Sequence, residues 1–168
     1  MRDRAEFTAY VEARSPRLLR TAYLLCRDWA QAEDLLQTAL VKVWRAWRRI
    51  GDDPDPYVYR ALVNTHASWW RRRWRGEIPT SAPPETIDVR DAMGAADSRA
   101  LLWEALGRLP RGQRAVLVLR FFEDLSEARV AEILNCSVGT VKSQASKALA
   151  KLRVDPQIVT VTGDLRRS

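Results

Sequence analysis

Apolar residues recur at helical spacing through two blocks of the chain, residues 1–75 and 99–153, and neither block shows the alternation of a half-buried strand. In the first block, Asp28 followed by Gln31 has the form of a capping box, and Trp29, Leu36, Ala39, Leu40, Val43, Trp47 and Ile50 then share one helical face. The other side carries Asp34, Thr38, Lys42, Arg45 and Arg49. Val41 and Trp44 lie at the margin beside Gln37, more exposed than a simple core helix requires, and predict a partner that covers them. Residues 51–56, GDDPDP, make a turn by composition, and Asp55 before Pro56 suits the N-cap and first turn of a helix from Pro56 to about Arg75. At about 100° per residue, Val58, Leu62 and Trp69 line up inward. Arg60, Asn64, Ala67, Arg71 and Arg75 line up opposite, Trp70 and Trp74 border that stripe, and Arg72 falls nearer the core side.

The second block opens with two helical stretches parted at RLPRGQ, the first carrying Leu101, Leu102, Ala105 and Leu109, the second Val116, Leu117, Leu119 and Phe121. A helix-turn-helix pattern follows. Ser126 caps a short helix with Val130, Ala131 and Leu134 inward, Asn135 and Cys136 make the turn, and Ser137 caps a second helix. Ala131 is small enough for the helices to approach, and Asn135 accepts a left-handed backbone. The second helix buries Val141, Ala145 and Ala148 and presents Thr140, Lys142, Ser143, Gln144 and Lys147, polar side chains suited to base edges in a major groove. A plain helical hairpin can imitate this pattern.

Between the blocks, residues 76–98 hold three prolines, two glycines and no sustained helical period, and read as a flexible linker. The expected fold is therefore all-α, two small helical domains joined by that linker, with residues 154–168 as a short polar tail. Charge follows the same division: +6 over residues 1–75, −4 over 76–98, +5 over 99–153 and zero beyond. Two basic blocks favour a polyanion through counterion release. No run approaches the roughly 20 apolar residues that span a bilayer, and the charged start MRDRAEFTAY lacks a signal peptide's apolar centre, so membrane insertion is not expected and the cytoplasm is. Cys26, Cys136 and His66 have no companions at ligand spacing and read as structural, so neither metal nor cofactor is expected.

The segment WWRRRWR, residues 69–75, decides between kinds of polyanion. A membrane-surface helix gathers its aromatics on one broad apolar face. Here one tryptophan points to the core and two border arginine and asparagine, which fits nucleic acid: arginines neutralise phosphates and aromatics stack on unpaired bases, each stack contributing about 1–3 kcal/mol. The bland reading is a helix whose tryptophans pack and whose arginines are solvated.

Two segments, AEDLLQTALVKVW and EDLSEARVAEILNCSVGTVKSQASKALAKLR, resemble the polymerase-binding helix and the minus-thirty-five reader of the extracytoplasmic-function sigma factors, small bacterial proteins with only σ2 and σ4 domains. The resemblance covers residues 7 to about 153. It implies a σ2 domain at 1–75 and a σ4 domain at 99–153, with Asp34, Leu35, Gln37, Leu40, Val41 and Trp44 meeting core RNA polymerase. It also implies that the helix from Pro56 faces the minus-ten element, with Asn64, Arg71 and Arg72 at motif positions, and that residues 51–56 hold a flipped non-template base. Arg60, Trp70, Trp74 and Arg75 join that surface from the helical reading. Five positions depart from the family pattern: Ser68, where aspartate is frequent; Thr38, where an acid is; Leu40, where phenylalanine is; Asn135, where glycine is; and Gln144, where arginine often occurs. Glutamine pairs bidentately with adenine and arginine with guanine, so Gln144 alters the expected promoter.

The implied function is a dissociable transcription initiation factor, with core RNA polymerase and promoter DNA as partners and an anti-sigma factor as its inhibitor. Catalysis would belong to the polymerase. A stand-alone helix-turn-helix regulator, with residues 1–75 as a sensor or dimerisation domain, is the alternative. A nucleic-acid-processing enzyme would need convergent carboxylates, and Asp52, Asp53 and Asp55 crowd a single turn without a partner.

Overall fold

A computed structural model of the protein describes residues 2–74 and 97–155, with side chains from 2–72 and 102–155. The expectations for Arg75, for the linker over 76–96, for the tail beyond 155, and for the side chains of Trp74 and Leu101 lie outside the described residues, while Asp97 and Ser98, read as the end of the linker, are already helical. Seven α-helices and two short irregular turns account for nearly all of the rest, with no strand among the described residues. The chain divides into two compact units.

The N-terminal unit comprises α1 (Arg4–Cys26), α2 (Trp29–Ala46) with a 3₁₀ turn at Trp47–Arg49, and α3 (Asp55–Trp74). Helix α1 starts in a full capping box, the Asp3 carboxylate accepting from the Glu6 N–H and the Glu6 carboxylate from the Asp3 N–H. It ends where Arg27 turns left-handed, φ 63°, and returns its N–H to the Tyr23 carbonyl at 2.7 Å. Across that break Tyr23 stacks on Trp29, centroids 4.1 Å apart and planes 12° apart, so the corner between α1 and α2 is fixed by two rings as well as by backbone. Asp28 caps α2, accepting from the Gln31 N–H at 2.8 Å, without the return bond from the Gln31 side chain that would complete the expected capping box.

Helix α2 packs between α1 and α3. Leu36, Ala39, Val43 and Trp47 are buried, as the pattern predicts, whereas Leu40, Ile50 and Trp29 are half-buried. The remaining core contacts of α2 come from Ala32, Leu35 and Ala46, with Leu18, Leu24 and Leu25 opposite on α1 and Val58, Tyr59 and Leu62 on α3. Asp55 is not the N-cap of α3: it lies inside the first turn, and its carboxylate reaches Arg14 and the Tyr10 hydroxyl, 2.7 Å away on α1. Charge and hydrogen-bond donors from α1 draw that carboxylate away from the helix end. Cys26 and Cys136, read as structural from their lack of companions, are both half-buried.

The C-terminal unit comprises α4 (Asp97–Arg108), α5 (Arg111–Leu117) running into a π turn at Val118–Phe122, α6 (Glu127–Leu134) and α7 (Val138–Arg153). The Arg114 guanidinium donates to the carbonyls of Leu106, Gly107 and Leu109 at 2.9–3.1 Å, satisfying the open end of α4 and joining it to α5. Helix α7 packs on α5. Phe121, expected inward, is 56 % exposed. The turn that carries it closes with a Glu123 N–H to Val118 carbonyl bond, one residue wider than an α-turn, which breaks the 3.6-residue phase on which the expectation rested.

The helix-turn-helix forms as its residues suggest. Ser126 accepts from the Arg129 N–H at 3.1 Å, Asn135 adopts φ 54°, the Cys136 N–H returns to the Ala131 carbonyl, and Ser137 accepts from the Thr140 N–H at 3.0 Å. Val130 and Ala131 are buried. Leu134 is half-buried, and the fully buried position at that end of α6 is Ile133.

Candidate partner and nucleic-acid surfaces

Five of the six α2 residues expected to meet a partner reach solvent. Asp34 and Gln37 are exposed, Val41 is 52 % and Trp44 45 % exposed, and Leu40 is half-buried. Leu35 is fully buried. It shares a phase with Ala39, Val43 and Ala46, the stripe that faces the core, so its side chain supports the helix and the expected contact does not hold. Leu40, Val41 and Trp44 form one wall of a cleft of about 540 Å³ whose other wall is Arg4, Phe7 and Thr8 of α1. Phe7 tilts against Trp44 at 5.0 Å and meets Trp47 edge-on at 5.1 Å, so the half-exposed indole is already held in place and loses little freedom on binding. The wall supplied by α1 was missed from sequence. Its only signal is Phe7, an apolar residue among polar ones in the first turns.

On α3, Asn64, Arg71 and Arg72 are exposed, Trp70 is 44 % exposed, and Arg60 is half-buried. Arg72, placed nearer the core by the periodic reading, points outward instead. Thr65 is the last fully buried side chain described on α3; residues 66–69 are half-buried, and the helix is exposed from Trp70 to Arg72. Lys42 of α2 donates to the Thr65 hydroxyl at 2.9 Å and steadies α3 beside Asn64.

The turn between α2 and α3 is fastened at both ends. Arg2 donates to the Asp52 carbonyl and lies over the Trp47 ring at 4.7 Å, while Trp47 Nε1 donates to the Asp3 carbonyl at 3.1 Å. At the far end the Tyr10–Asp55–Arg14 cluster holds the start of α3, and Asp53 accepts from the Asp55 N–H at 3.2 Å. Burial pushes the Tyr10 phenol up to about 12, with Arg14 acting against it, so the hydroxyl keeps its proton and donates. Gly51, Asp52 and Asp53 remain exposed between these anchors.

On α7, Thr140, Lys142, Ser143 and Lys147 are exposed and Gln144 is half-buried, while Val141 and Ala148 are fully buried and Ala145 partly so. The Thr140 hydroxyl lies 2.9 Å from that of Ser137 and is therefore part of the cap as well as of the surface. Lys142 sits 3.8 Å from Glu127, a loose exposed pair that contributes little to stability and can exchange the carboxylate for a phosphate. The first turns of α7 thus present polar side chains from a buried base, the arrangement that a groove reader needs.

Comparison with known proteins gives these surfaces a family. Residues 10–76 match the model of sigma-70 region 2 and residues 99–152 that of sigma-70 region 4. The RNA polymerase sigma-E factor of Streptomyces coelicolor is 43 % identical over 150 residues, covering 88 % of this chain and 84 % of that protein. The ECF RNA polymerase sigma factor SigL of Mycobacterium tuberculosis is 32 % identical over 152 residues, 86 % of this chain and 85 % of that one. Among solved structures, the sigma factor RpoE in complex with the anti-sigma factor NepR, from Bartonella quintana, gives a TM-score of 0.71 at 26 % identity over 88 % of this chain and 94 % of that one. CnrH in complex with the cytosolic domain of CnrY shares the fold, TM-score 0.64 at 22 % identity, over 96 % and 91 %. No helix among the described residues is long and apolar enough to cross a membrane. With a helical unit matching region 2, a helix-turn-helix unit matching region 4 and relatives that align along most of their length, the chain belongs to the extracytoplasmic-function RNA polymerase sigma factors, which direct polymerase to promoters.

Proposed function

We propose that residues 1–75 act as a σ2 domain whose α2 surface, centred on Val41 and Trp44, docks on core polymerase, and that residues 99–153 act as a σ4 domain tethered to it by residues 76–98. On this reading α3 faces the minus-ten element through Asn64, Trp70, Arg71 and Arg72, with Arg60, Trp74 and Arg75 on the same surface. Residues 51–56 trap one base of the non-template strand. Helix α7 enters the minus-thirty-five major groove with Thr140, Lys142, Ser143, Gln144 and Lys147. Trapping an unstacked base offsets the cost of opening the duplex, and a turn anchored by Arg2 and Asp55 is ordered before the base arrives. RNA synthesis remains the polymerase's chemistry, carried out in the cytoplasm, and the chain contributes no catalytic group. Solved relatives are bound to an anti-sigma factor and to the cytosolic domain of CnrY, and an inhibitor of that kind would compete for the α2 cleft.

The observation that carries this reading is the pair of large apolar side chains, Val41 and Trp44, held exposed on a helix whose opposite face is fully packed. The stand-alone regulator is not favoured, because the region 2 match spans the helices it would need for sensing or dimerisation. Run-off transcription with purified core polymerase, with and without the chain, over a set of candidate promoters is the test: promoter-specific product that depends on the chain is expected. Gln37→Ala with Trp44→Ala should abolish capture of core polymerase while leaving helix content unchanged. Promoter binding by the isolated chain at full strength, with no gain from core enzyme, would return the regulator reading.

A further inference from the structure

Two uncharged residues, Val138 and Gly139, open α7 ahead of its polar side chains. At about 100° per residue, Gly139 lies opposite the buried stripe of Val141, Ala148 and Leu152, at the outermost point of the helix tip. Among the described residues, nothing requires a glycine there. Its backbone is helical, a conformation any residue adopts, and an added Cβ would meet only Ser137 Oγ, at 3.7 Å, an ordinary van der Waals contact. Alanine is the better helix former, so the bare backbone points to something outside the protein that approaches it closely. Val138, beside it, is 39 % exposed. Lys142 follows one turn later on the same edge and lies 3.8 Å from Glu127 of α6, so Val138 stands on the edge of α7 that borders α6. The hydroxyls around it are engaged: Ser137 Oγ accepts from the Thr140 N–H at 3.0 Å and lies 2.9 Å from Thr140 Oγ1. The first turn also holds no acidic residue, which the helix macrodipole would favour and a phosphate would not.

A lone exposed valine is ordinary on a protein surface. This one is continuous with the exposed Thr140, Lys142 and Ser143, so whatever those side chains read, the tip reaches as well. Of the four bases, thymine alone presents an apolar group in the major groove, its 5-methyl. We propose that the tip of α7 makes an apolar contact with the minus-thirty-five element, Val138 covering one thymine methyl and Gly139 letting the helix backbone come flush with the groove. The proposal rests on the reading of α7 as the groove-entering helix given above. Hydrogen-bonding side chains alone do not register that methyl, so Val138 adds a base preference that they do not supply. A side chain at position 139 would hold the tip off by the width of a methyl group, and the polar side chains behind it would lose their hydrogen-bond distances too.

The test uses holoenzyme assembled from core polymerase and the full-length chain, bound to a duplex carrying a promoter found by run-off transcription. Each thymine of the minus-thirty-five element, on either strand, is replaced in turn by deoxyuridine, which removes the methyl group and nothing else. Wild type should bind one of these duplexes about fourfold more weakly than the intact one. Val138→Ala should lose about the same factor on the intact duplex and nothing further on the substituted one. Gly139→Ala should bind the intact duplex about tenfold more weakly, while its melting temperature stays at or above that of wild type. An element in which no thymine methyl matters would overturn the proposal, as would a sensitive thymine that stays equally sensitive in Val138→Ala. Full promoter affinity in Gly139→Ala, or a lowered melting temperature, would assign the glycine to the fold and overturn it as well. A duplex with a scrambled minus-thirty-five element separates the two readings: if holoenzyme binds it as well as the intact duplex, the assignment of α7 to that groove fails and the tip contact with it. If scrambling weakens binding and no deoxyuridine does, the groove assignment stands and the tip contact alone fails.

Discussion

Tyr10 and Leu35 show how a single residue's role turns on burial. Tyr10 donates a hydrogen bond to Asp55 from a half-buried site, and burial raises its pKa to about 12 from 10.0. The unfolded chain therefore releases this proton first, and between about pH 10 and 12 it binds fewer protons than the folded chain, so this group's contribution to stability is fully present below that window and is lost as pH rises through it. Tyr10→Phe should cost about 1 kcal/mol at neutral pH for the lost hydrogen bond, and the gap from wild type in urea unfolding should narrow as pH passes from 10 toward 12. Leu35 is the opposite case, a residue assigned to a contact by resemblance and to the core by the fold. Leu35→Ala should lower unfolding stability by about 2–5 kcal/mol, whereas Trp44→Ala should lower polymerase affinity with a much smaller stability change. Equal stability losses in the two variants would contradict the division between support and contact. Asp55 belongs here too: its place before Pro56 suggested a cap, and nothing in the local sequence announced that Tyr10 and Arg14, more than forty residues earlier, would claim its carboxylate.

At the scale of elements, most of the fold was legible because the signals were local. Capping residues Asp28, Ser126 and Ser137 and the left-handed Asn135 act within a few positions of themselves, and each does what its side chain suggests. What escaped was tertiary. Phe7 becomes part of a cleft only because α1 lies against α2, and Arg72 faces outward because it lies beyond the buried and half-buried stretch of α3. Helix α7 carries the prediction of this scale. Gln144 is half-buried, between exposed Ser143 and half-buried Ala145. Gln144→Arg should move base preference at one minus-thirty-five position from adenine toward guanine, by about 1–3 kcal/mol of discrimination. Competition binding with promoters differing at single positions would measure it, and a uniform loss across all promoters would assign Gln144 to support instead.

For the molecule as a whole, charge is the most informative sequence property. The net +7 is concentrated in the two helical blocks, +6 and +5, with −4 between them. Promoter binding by the holoenzyme should weaken linearly in log Kd with log salt. If each side chain neutralises its own phosphate, as the proposed function requires, Lys147→Gln should reduce the slope by about 0.9, Arg71→Gln by about 0.7 for a contact to separated strand, and the double variant by the sum. A double variant no different from either single one would mean that a shared contact had been counted twice. The total was visible at once from composition, whereas the convergence of Arg4 with Arg45, Arg48 and Arg49 required the fold, since α1 and the end of α2 are forty residues apart. The π turn at Val118–Phe122 has an architectural consequence of its own: it works as a phase slip, one surplus residue wound into a helical segment. Deleting Phe121 would take up that surplus and turn Phe122 and the entry to the loop before α6 by about 100° relative to α5, so that the helix-turn-helix would be joined to its support at a different angle although none of its own residues had changed.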